Sequence, residues 1–388
     1  MYHSFKHKHH MKKTTELSLS RLIYIIGLAC ITSVWSLYMK NLNFSDSIIG
    51  FLSSAFIAIA FLGSIASIYL LEKFRELKLL ILSLLLLVIF YLSIFLLNNK
   101  YIFILLAALV YFFDPIQRNS FDILFKDRSS PKKLSEDEGF LYSLMNIGWF
   151  IGPLLCGFIL LSYEMRNVFV VGTIFLVISI LIILLMTIRQ SRKKVLVDFN
   201  YFKNFKNFFE DKRRVFPLII SSNLQIWWTM IFVFMPLYIV SEGLGNEYVG
   251  YFISLIMVPL IILDYKIGKL SEKYGSRKFF IFGFLFLSLL SITAFFVSNV
   301  IIVLILFIIA GFAISLIEPL QETFFFKHIT LDEEDNFFPV YTSSKYFGSF
   351  FGRMFIALLL LVFPIKIMFL VVGLFMFLTF LMCLKIAK

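Results

Sequence analysis

Asp114, Arg118 and Asp122 recur at four-residue intervals inside a largely apolar stretch, and Glu318 and Glu322 repeat that interval some two hundred residues later. On a helix this spacing stacks each set on one face. A third apolar stretch carries Lys345 and Arg353. An acid in such surroundings can take up and release a proton as water comes and goes. The competing outcome is an inert ion pair, Asp114 with Arg118 and Glu318 with Lys345. Counting inward from the run ends at about 1.5 Å per residue puts Glu318 and Lys345 both about 12 Å deep, so these two are expected to pair. Arg353 lies deeper, where it could bind an anion or hold an acid on another helix. Each of Asp114 and Glu318 is followed by a proline, which frees a carbonyl of the preceding turn and loosens the helix there.

The elements that must position these groups follow from composition. Of 388 residues 60% are hydrophobic, 50 are phenylalanine and only 15% are charged, against about a quarter charged in soluble domains. The medium for such a chain is a bilayer. A spanning helix needs about 20 mostly apolar residues, and twelve runs qualify, at 22–40, 47–70, 79–97, 102–125, 139–162, 168–188, 216–240, 248–268, 279–297, 301–326, 337–363 and 367–385. They are too long, and lack the alternation, for barrel strands. An ionisable group inside such a run costs about 2.5–3.5 kcal/mol on insertion scales and marks function by default.

The net charge of +12 is distributed over short loops rather than along one face, which excludes nucleic acid as the partner and makes the cations topology signals. Lys73, Arg75 and Lys78 share one side with Lys126, Arg128, Lys132 and Lys133, with Arg189, Arg192, Lys193 and Lys194, and with Arg277 and Lys278. That side is cytoplasmic, and an even number of spans places both termini there, in a plasma (inner) membrane. Residues 1–20 read as an irregular, solvated basic tail whose His3, His7, His9 and His10 lack acidic neighbours for a metal site. Residues 21–189 form a first six-helix bundle, 190–215 a cytoplasmic linker, and 216–388 a second bundle. Within the linker, Phe199, Phe202, Phe205 and Phe209 alternate with Lys203 and Lys206, the pattern of a helix lying on the inner leaflet or docking on a partner. Cys30, Cys156 and Cys383 all fall in apolar runs without metal or disulfide spacing and read as packing.

The seventh run opens with Asn223 and Gln225 followed by Trp227 and Trp228, and the first holds Thr32, Ser33 and Trp35. Amides and aromatics with few charges suit an amphipathic organic solute. No HExxH, GxSxG or P-loop motif is present, and His328 is the sole histidine beyond the tail. Neither enzymatic chemistry nor a cofactor or metal is expected.

An offset of 200 residues aligns the chain with itself. It carries Leu37-Tyr38 onto Leu237-Tyr238, Gly50 onto Gly250, Glu72-Lys73 onto Glu272-Lys273, Lys78 onto Lys278, and Ser143, Gly148 and Gly152 onto Ser343, Gly348 and Gly352. The expected fold is therefore an all-α membrane protein with twelve transmembrane helices in two pseudo-symmetric six-helix bundles. Parallel repeats of this kind build secondary transporters, with the site near the midplane.

The loop "GKLSEKYGSRK" supplies Gly268, Glu272, Lys273, Gly275, Arg277 and Lys278, and here the chain resembles the major facilitator superfamily. In that family a Gly-x-x-x-acid-base-x-Gly-x-base-base loop joins the second and third helices of a bundle. The first-half copy keeps Glu72, Lys73 and Lys78 but has Ile68, Arg75 and Leu77 in place of two glycines and a base. Gly152-Pro153 in the fifth helix resembles the family's exporters. The resemblance spans about 21–385 and implies a monomer in which helices one, four, seven and ten line a central cavity, so that Asp114 and Glu318 face it. It implies charged hairpins that gate the cytoplasmic side. The function expected is proton-coupled export of a small amphipathic compound by alternating access. The alternatives are a metabolite or anion carrier clamping its substrate with Arg118 and Arg353, and a transporter-shaped sensor docking through the linker helix.

Overall fold

The computed structural model describes residues 2–129, 134–186 and 201–385, and every regular element among them is helical. The first half comprises α1 (Tyr2–Asn41), α2 (Asp46–Lys73), α3 (Glu76–Leu97), α4 (Lys100–Arg128), α5 (Leu134–Leu160) and α6 (Asn167–Leu185). A short α7 (Tyr201–Phe209) precedes α8 (Lys212–Thr229), α9 (Met235–Ser241), α10 (Glu247–Tyr274), α11 (Ser276–Phe296) and α12 (Val300–Ser315). Then come α13 (Gln321–Phe326), α14 (Leu331–Thr342), α15 (Ser344–Leu359) and α16 (Ile367–Leu384). Among the described residues, eleven continuous or gently interrupted helical stretches are long and apolar enough to cross a membrane. The twelfth, expected at 337–363, is divided at Ser343 into α14 and α15.

Two compact units result: Met1–Leu42 with Phe56–Leu196, and Asn43–Ala55 with Val197–Lys388. The first turns of α2 therefore belong with the second unit. There Gly50 lies against Ala357 and the Phe234 ring, with no space for a side chain.

The sequence repeat is a repeat of contacts. Asn99 caps α4 by accepting from the Tyr101 and Ile102 amides at 2.9 and 3.2 Å, and Asn299 caps α12 through Ile301 and Ile302 at 2.9 and 3.3 Å. Such caps satisfy amides that a helix start leaves unpaired. Tyr38 meets Phe169 edge-on at 4.9 Å, and Tyr238 meets Phe369 edge-on at 4.9 Å. Gly148 packs closely on the Ile25 side chain of α1, and Gly348 on the Ser222 carbonyl of α8.

The halves differ where their backbones are irregular. Residues Met230–Phe234, joining α8 to α9, form a turn of π-helix, a feature common at functional sites. Glu318–Leu320, between α12 and α13, is a 3₁₀ turn. Pro319 cannot donate to the carbonyl four residues back, and the chain closes with three-residue bonds instead: Leu316 to Ala313, Ile317 to Ile314 and Leu320 to Ile317. Pro115, following the other acid, leaves α4 unbroken.

Two expectations are corrected. Helix α1 starts at Tyr2, where an irregular tail was expected; the segment holds no glycine or proline, and its lysines and methionine tolerate a helix well. The side chains of His3, His7, His9 and His10, like those of Phe199 and Phe202, lie outside the described residues, as do Lys132, Lys133 and the 189–194 cations. The linker helix is also not free to lie on headgroups. Phe208 of α7 is fully buried, stacked on Phe325 at 6.2 Å and edge-on to Phe337 at 5.9 Å. Asn204 donates to Asn336 at 3.2 Å, and Arg214 bonds Glu333 at 2.9 Å while covering the Phe337 ring at 4.1 Å. Aromatic stacking and the Asn204–Asn336 bond thus bind α7 to α13 and α14, and Arg214 of α8 bridges them by donating to the Asn207 carbonyl of α7 at 3.0 Å while it pairs with Glu333 of α14, where the sequence suggested lipid.

Candidate functional site

In the first unit the site grows from α1 and α4. The four-residue spacing sets Arg118 beside Asp114, with Nη2 to Oδ2 at 2.7 Å. The other carboxylate oxygen accepts from the Tyr24 hydroxyl of α1 at 2.8 Å. One turn earlier on α1, Arg21 is 4% exposed. It donates to Gln117 at 3.1 Å and lies over the Tyr24 and Phe121 rings at 4.9 and 4.7 Å. Among the described residues this buried cation is thus held by an amide oxygen and two ring faces instead of a carboxylate. Sequence reasoning named neither Arg21 nor Tyr24. Arg21 stands one residue before the first apolar run, and its charge at that edge is the signal the sequence offers.

In the second unit the equivalent pair joins α8 to the 3₁₀ turn. The Trp228 indole Nε1 donates to Glu318 Oε2 at 2.8 Å. Lys345 instead bonds Glu322 at 3.2 Å, so the expected Glu318–Lys345 pair is replaced. The 3₁₀ turn explains the change, because it rotates Glu318 away from the helical face that Glu322 occupies. Among the described residues Glu318 makes no salt bridge. Both acids therefore take a hydrogen bond from a neutral aromatic donor on the first membrane helix of their own unit. Only Asp114 also has a cation.

The other expected site residues divide. Trp227 is fully buried and meets Trp228 edge-on at 5.0 Å, and Phe232 stacks on Trp228 at 5.4 Å. Asn223 and Gln225 are half-buried on α8. Ser33 and Trp35 are core residues rather than cavity lining. The Ser33 hydroxyl bonds its own helix at Ala29 O, 2.8 Å, and Trp35 sits among Tyr91, Phe103, Tyr111 and Phe169. Arg353, half-buried, makes no salt bridge among the described residues: its Nη1 donates to the Ser53 carbonyl of α2 at 3.0 Å.

The hairpin after α10 turns at Gly275, whose φ of +82° lies in the region that favours glycine. Arg75 occupies that place in the first half with an extended backbone, φ −78°, so the lost glycine there reflects a different turn. Arg277 donates to the Leu384 carbonyl at the end of α16, 2.6 Å. Lys273 and Lys278 lie over the Tyr274 ring at 5.2 and 6.0 Å, and Lys78 lies over Phe74 at 5.8 Å. Glu72, Lys73 and Glu272 are exposed, and Gly268 has open space about it.

Against known proteins, the model of the Major Facilitator Superfamily matches residues 17–263 and 228–387. The chain belongs to the major facilitator superfamily. Solved structures agree on the fold. A POT family transporter in complex with a thioalcohol-conjugated peptide superposes with a TM-score of 0.82 at 11% identity, over 96% of this chain and 95% of that one. The nucleoside transporter NupG gives 0.77 at 11% identity, over 96% and 99%. A bacterial homologue of the human lysosomal transporter Spinster, inward-facing and unoccupied, gives 0.73 at 14% identity, over 97% and 95%. No curated protein matches the sequence. As a facilitator-superfamily chain, the molecule is a multi-pass integral membrane protein of two six-helix bundles. Its membership points to secondary transport rather than enzymatic turnover.

Proposed function

We propose that this superfamily member is a proton-coupled secondary transporter that exports a small amphipathic compound by alternating access, with Glu318 carrying the proton. The observation behind this assignment is the inequality of the two acids. Asp114 is tied to Arg118 at 2.7 Å, so protonating it would strand a cation. Among the described residues Glu318 makes no salt bridge, since Lys345 bonds Glu322, and its hydrogen-bond donor is the neutral Trp228 indole at 2.8 Å, so a proton there breaks no ion pair. Glu318 also sits in the 3₁₀ turn, opposite the π-helical turn after Trp228. A proton arriving there would weaken the Trp228 hydrogen bond, because a charged acceptor holds the donor more strongly than a neutral one. Two irregular helices are suited to turning that change into a shift of α8 against α13.

The half-buried Asn223 and Gln225 beside Trp228 and Phe232 support an amphipathic substrate. The export direction rests on the Gly152-Pro153 pair in α5. The anion-clamp reading is weakened because Arg118 and Arg353 already bond Asp114 and the Ser53 carbonyl. The sensor reading is weakened because α7 spends its buried phenylalanine on α13 and α14.

The test is transport in reconstituted vesicles under an imposed pH gradient, with a panel of lipophilic dyes and small acids. Glu318→Gln should abolish gradient-driven movement while leaving counterflow of the same solute between equal pH compartments. Asp114→Asn should lower both together. Gradient-driven transport that survives Glu318→Gln would remove the proton from this residue.

A further inference from the structure

The two units differ in how closely their first membrane helix approaches the fifth and sixth. In the first unit glycine makes the approach possible. A side chain added at Gly152 would lie 2.5 Å from the Ile26 carbonyl, and one at Gly172 would lie 2.5 Å from the Ile31 side chain. One added at Gly27 would lie 2.5 Å from the Gly172 carbonyl. The repeat places Trp227 at the position of Gly27 and Val372 at that of Gly172, keeping only Gly352 for Gly152. Two side chains now stand where the first unit has none, so α8 cannot close on α16 as α1 closes on α6. The nearest atom to a side chain added at Gly352 is Ile226 Cα, at 3.2 Å. A cavity of about 280 Å³ opens between α8, α15 and α16, walled by Ile226, Phe351, Gly352, Phe355, Val372 and Phe375. At the corresponding place in the first unit, Gly27, Gly152 and Gly172 bring α1, α5 and α6 into direct contact.

We propose that this cavity holds one acyl chain of a membrane lipid. Its depth is that of the bilayer interior, since Ile226 falls midway along the Lys212–Ser241 span. The surface around it is hydrocarbon: the exposed residues of α15 are Phe351, Phe355 and Leu358, and those of α16 are Leu374, Phe377, Leu378, Leu381 and Leu384. A face with no exposed polar group is one that lipid covers. The walls offer no hydrogen-bond partner, which disfavours a polar or ionised guest. The volume equals roughly nine waters at about 30 Å³ each, room for several methylenes but not for a headgroup. Left empty, the walls would lose their dispersion contacts, and a flexible chain drawn from the surrounding bilayer restores them. Ile226 and Trp228 are two residues apart and so face nearly opposite sides of α8. The lipid chain therefore supports α8 from behind, on the side away from Glu318.

Trp227 and Trp228 follow Ile226 within one turn of α8, so their emission reports on a quencher in the cavity although neither indole forms its wall. Full-length protein carrying Trp35→Phe and Trp149→Phe retains Trp227 and Trp228, which are 0% and 9% exposed and so shielded from the lipid annulus. It is reconstituted in phosphatidylcholine vesicles with or without bromine atoms at mid-chain, which quench indoles at short range without needing to touch them. Loss of emission in the brominated vesicles, restored by Gly352→Leu or by Val372→Phe, is the expected result. Native mass spectrometry of the otherwise wild-type protein should show one retained phospholipid that both filled variants lack. Unquenched emission, or quenching that both filled variants retain, overturns the proposal. So does a cavity that ignores brominated lipid but is quenched by a small brominated aromatic solute, which would make the occupant a solute.

Discussion

Replacing Phe208 with alanine separates a docked linker helix from one lying on lipid. The ring is fully buried between Phe325 and Phe337, and nothing else on α7 enters that cluster as deeply. Truncating a buried phenylalanine costs about 3–5 kcal/mol. Asn204–Asn336 and the Arg214 bond to the Asn207 carbonyl would remain to hold α7, so the loss should appear as local undocking and not as global unfolding. Taking the lower figure, the undocked population rises by about two orders of magnitude at 1.4 kcal/mol per decade. Trypsin reports it, since Lys203, Lys206, Lys212 and Arg213 all lie in or just after α7. When reclosing outpaces cleavage, the cutting rate follows the open population. Phe208→Ala should therefore be cut about a hundredfold faster than wild type, as read by time-resolved gels. Phe209→Ala, at a position 42% exposed, should change the rate by about twofold or less. Equal rates for wild type and Phe208→Ala would refute the docking argument and return α7 to the headgroups.

Other outcomes follow from the same contacts. Gly348→Ala drives a methyl into the Ser222 carbonyl, whereas at Gly352 the nearest atom is 3.2 Å away; Gly348→Ala should lower thermal stability in detergent by about 1–3 kcal/mol, and Gly352→Ala by much less. Asp211 caps α8 through the Arg213 amide at 2.9 Å, so Asp211→Ala should cost about 1 kcal/mol, measured as faster trypsin cutting at Lys212. The side-chain hydrogen bond from Arg213 holds the Asp211 carboxyl below the usual carboxylate range. A lowered folded value means that the cap's contribution is intact above the unfolded value near about 3.9 and fades as pH falls through the folded one. Protection of the linker should thus be flat from pH 5 to pH 8 in steps traceable to this group, about the range where the carboxylate is ionised in both states, with cutting by an acid protease rising below it. Cys30, Cys156 and Cys383 are all fully buried, so maleimide labelling of the native protein should be absent until detergent denaturation; rapid labelling would contradict the packing.

What the sequence determined by itself is the class of molecule and its duplication. Apolar run length sets helices in a bilayer, because no other backbone satisfies itself in hydrocarbon apart from a closed barrel. The offset of 200 residues finds its spatial counterpart in caps and ring pairs such as Asn99 with Asn299 and Tyr38–Phe169 with Tyr238–Phe369. Stacking of Arg118 on Asp114 was also legible, since it lies within one helix and needs only the helical period. Contacts between helices were not. Depth counting made Lys345 the partner of Glu318, but it assumes an unbroken helix, and the 3₁₀ turn at Glu318–Leu320 rotates the acid toward Trp228 while Lys345 takes Glu322. Tyr24 reaches Asp114 across 90 residues of chain, and no period along the sequence encodes such a distance. The fate of the linker phenylalanines was likewise a tertiary matter: an amphipathic face fits lipid or protein equally well, and only the position of Phe325 and Phe337 decides between them. The exchange of Gly27 and Gly172 for Trp227 and Val372 was written in the sequence from the start. That it opens the cavity beside α8 depends on how closely three helices approach.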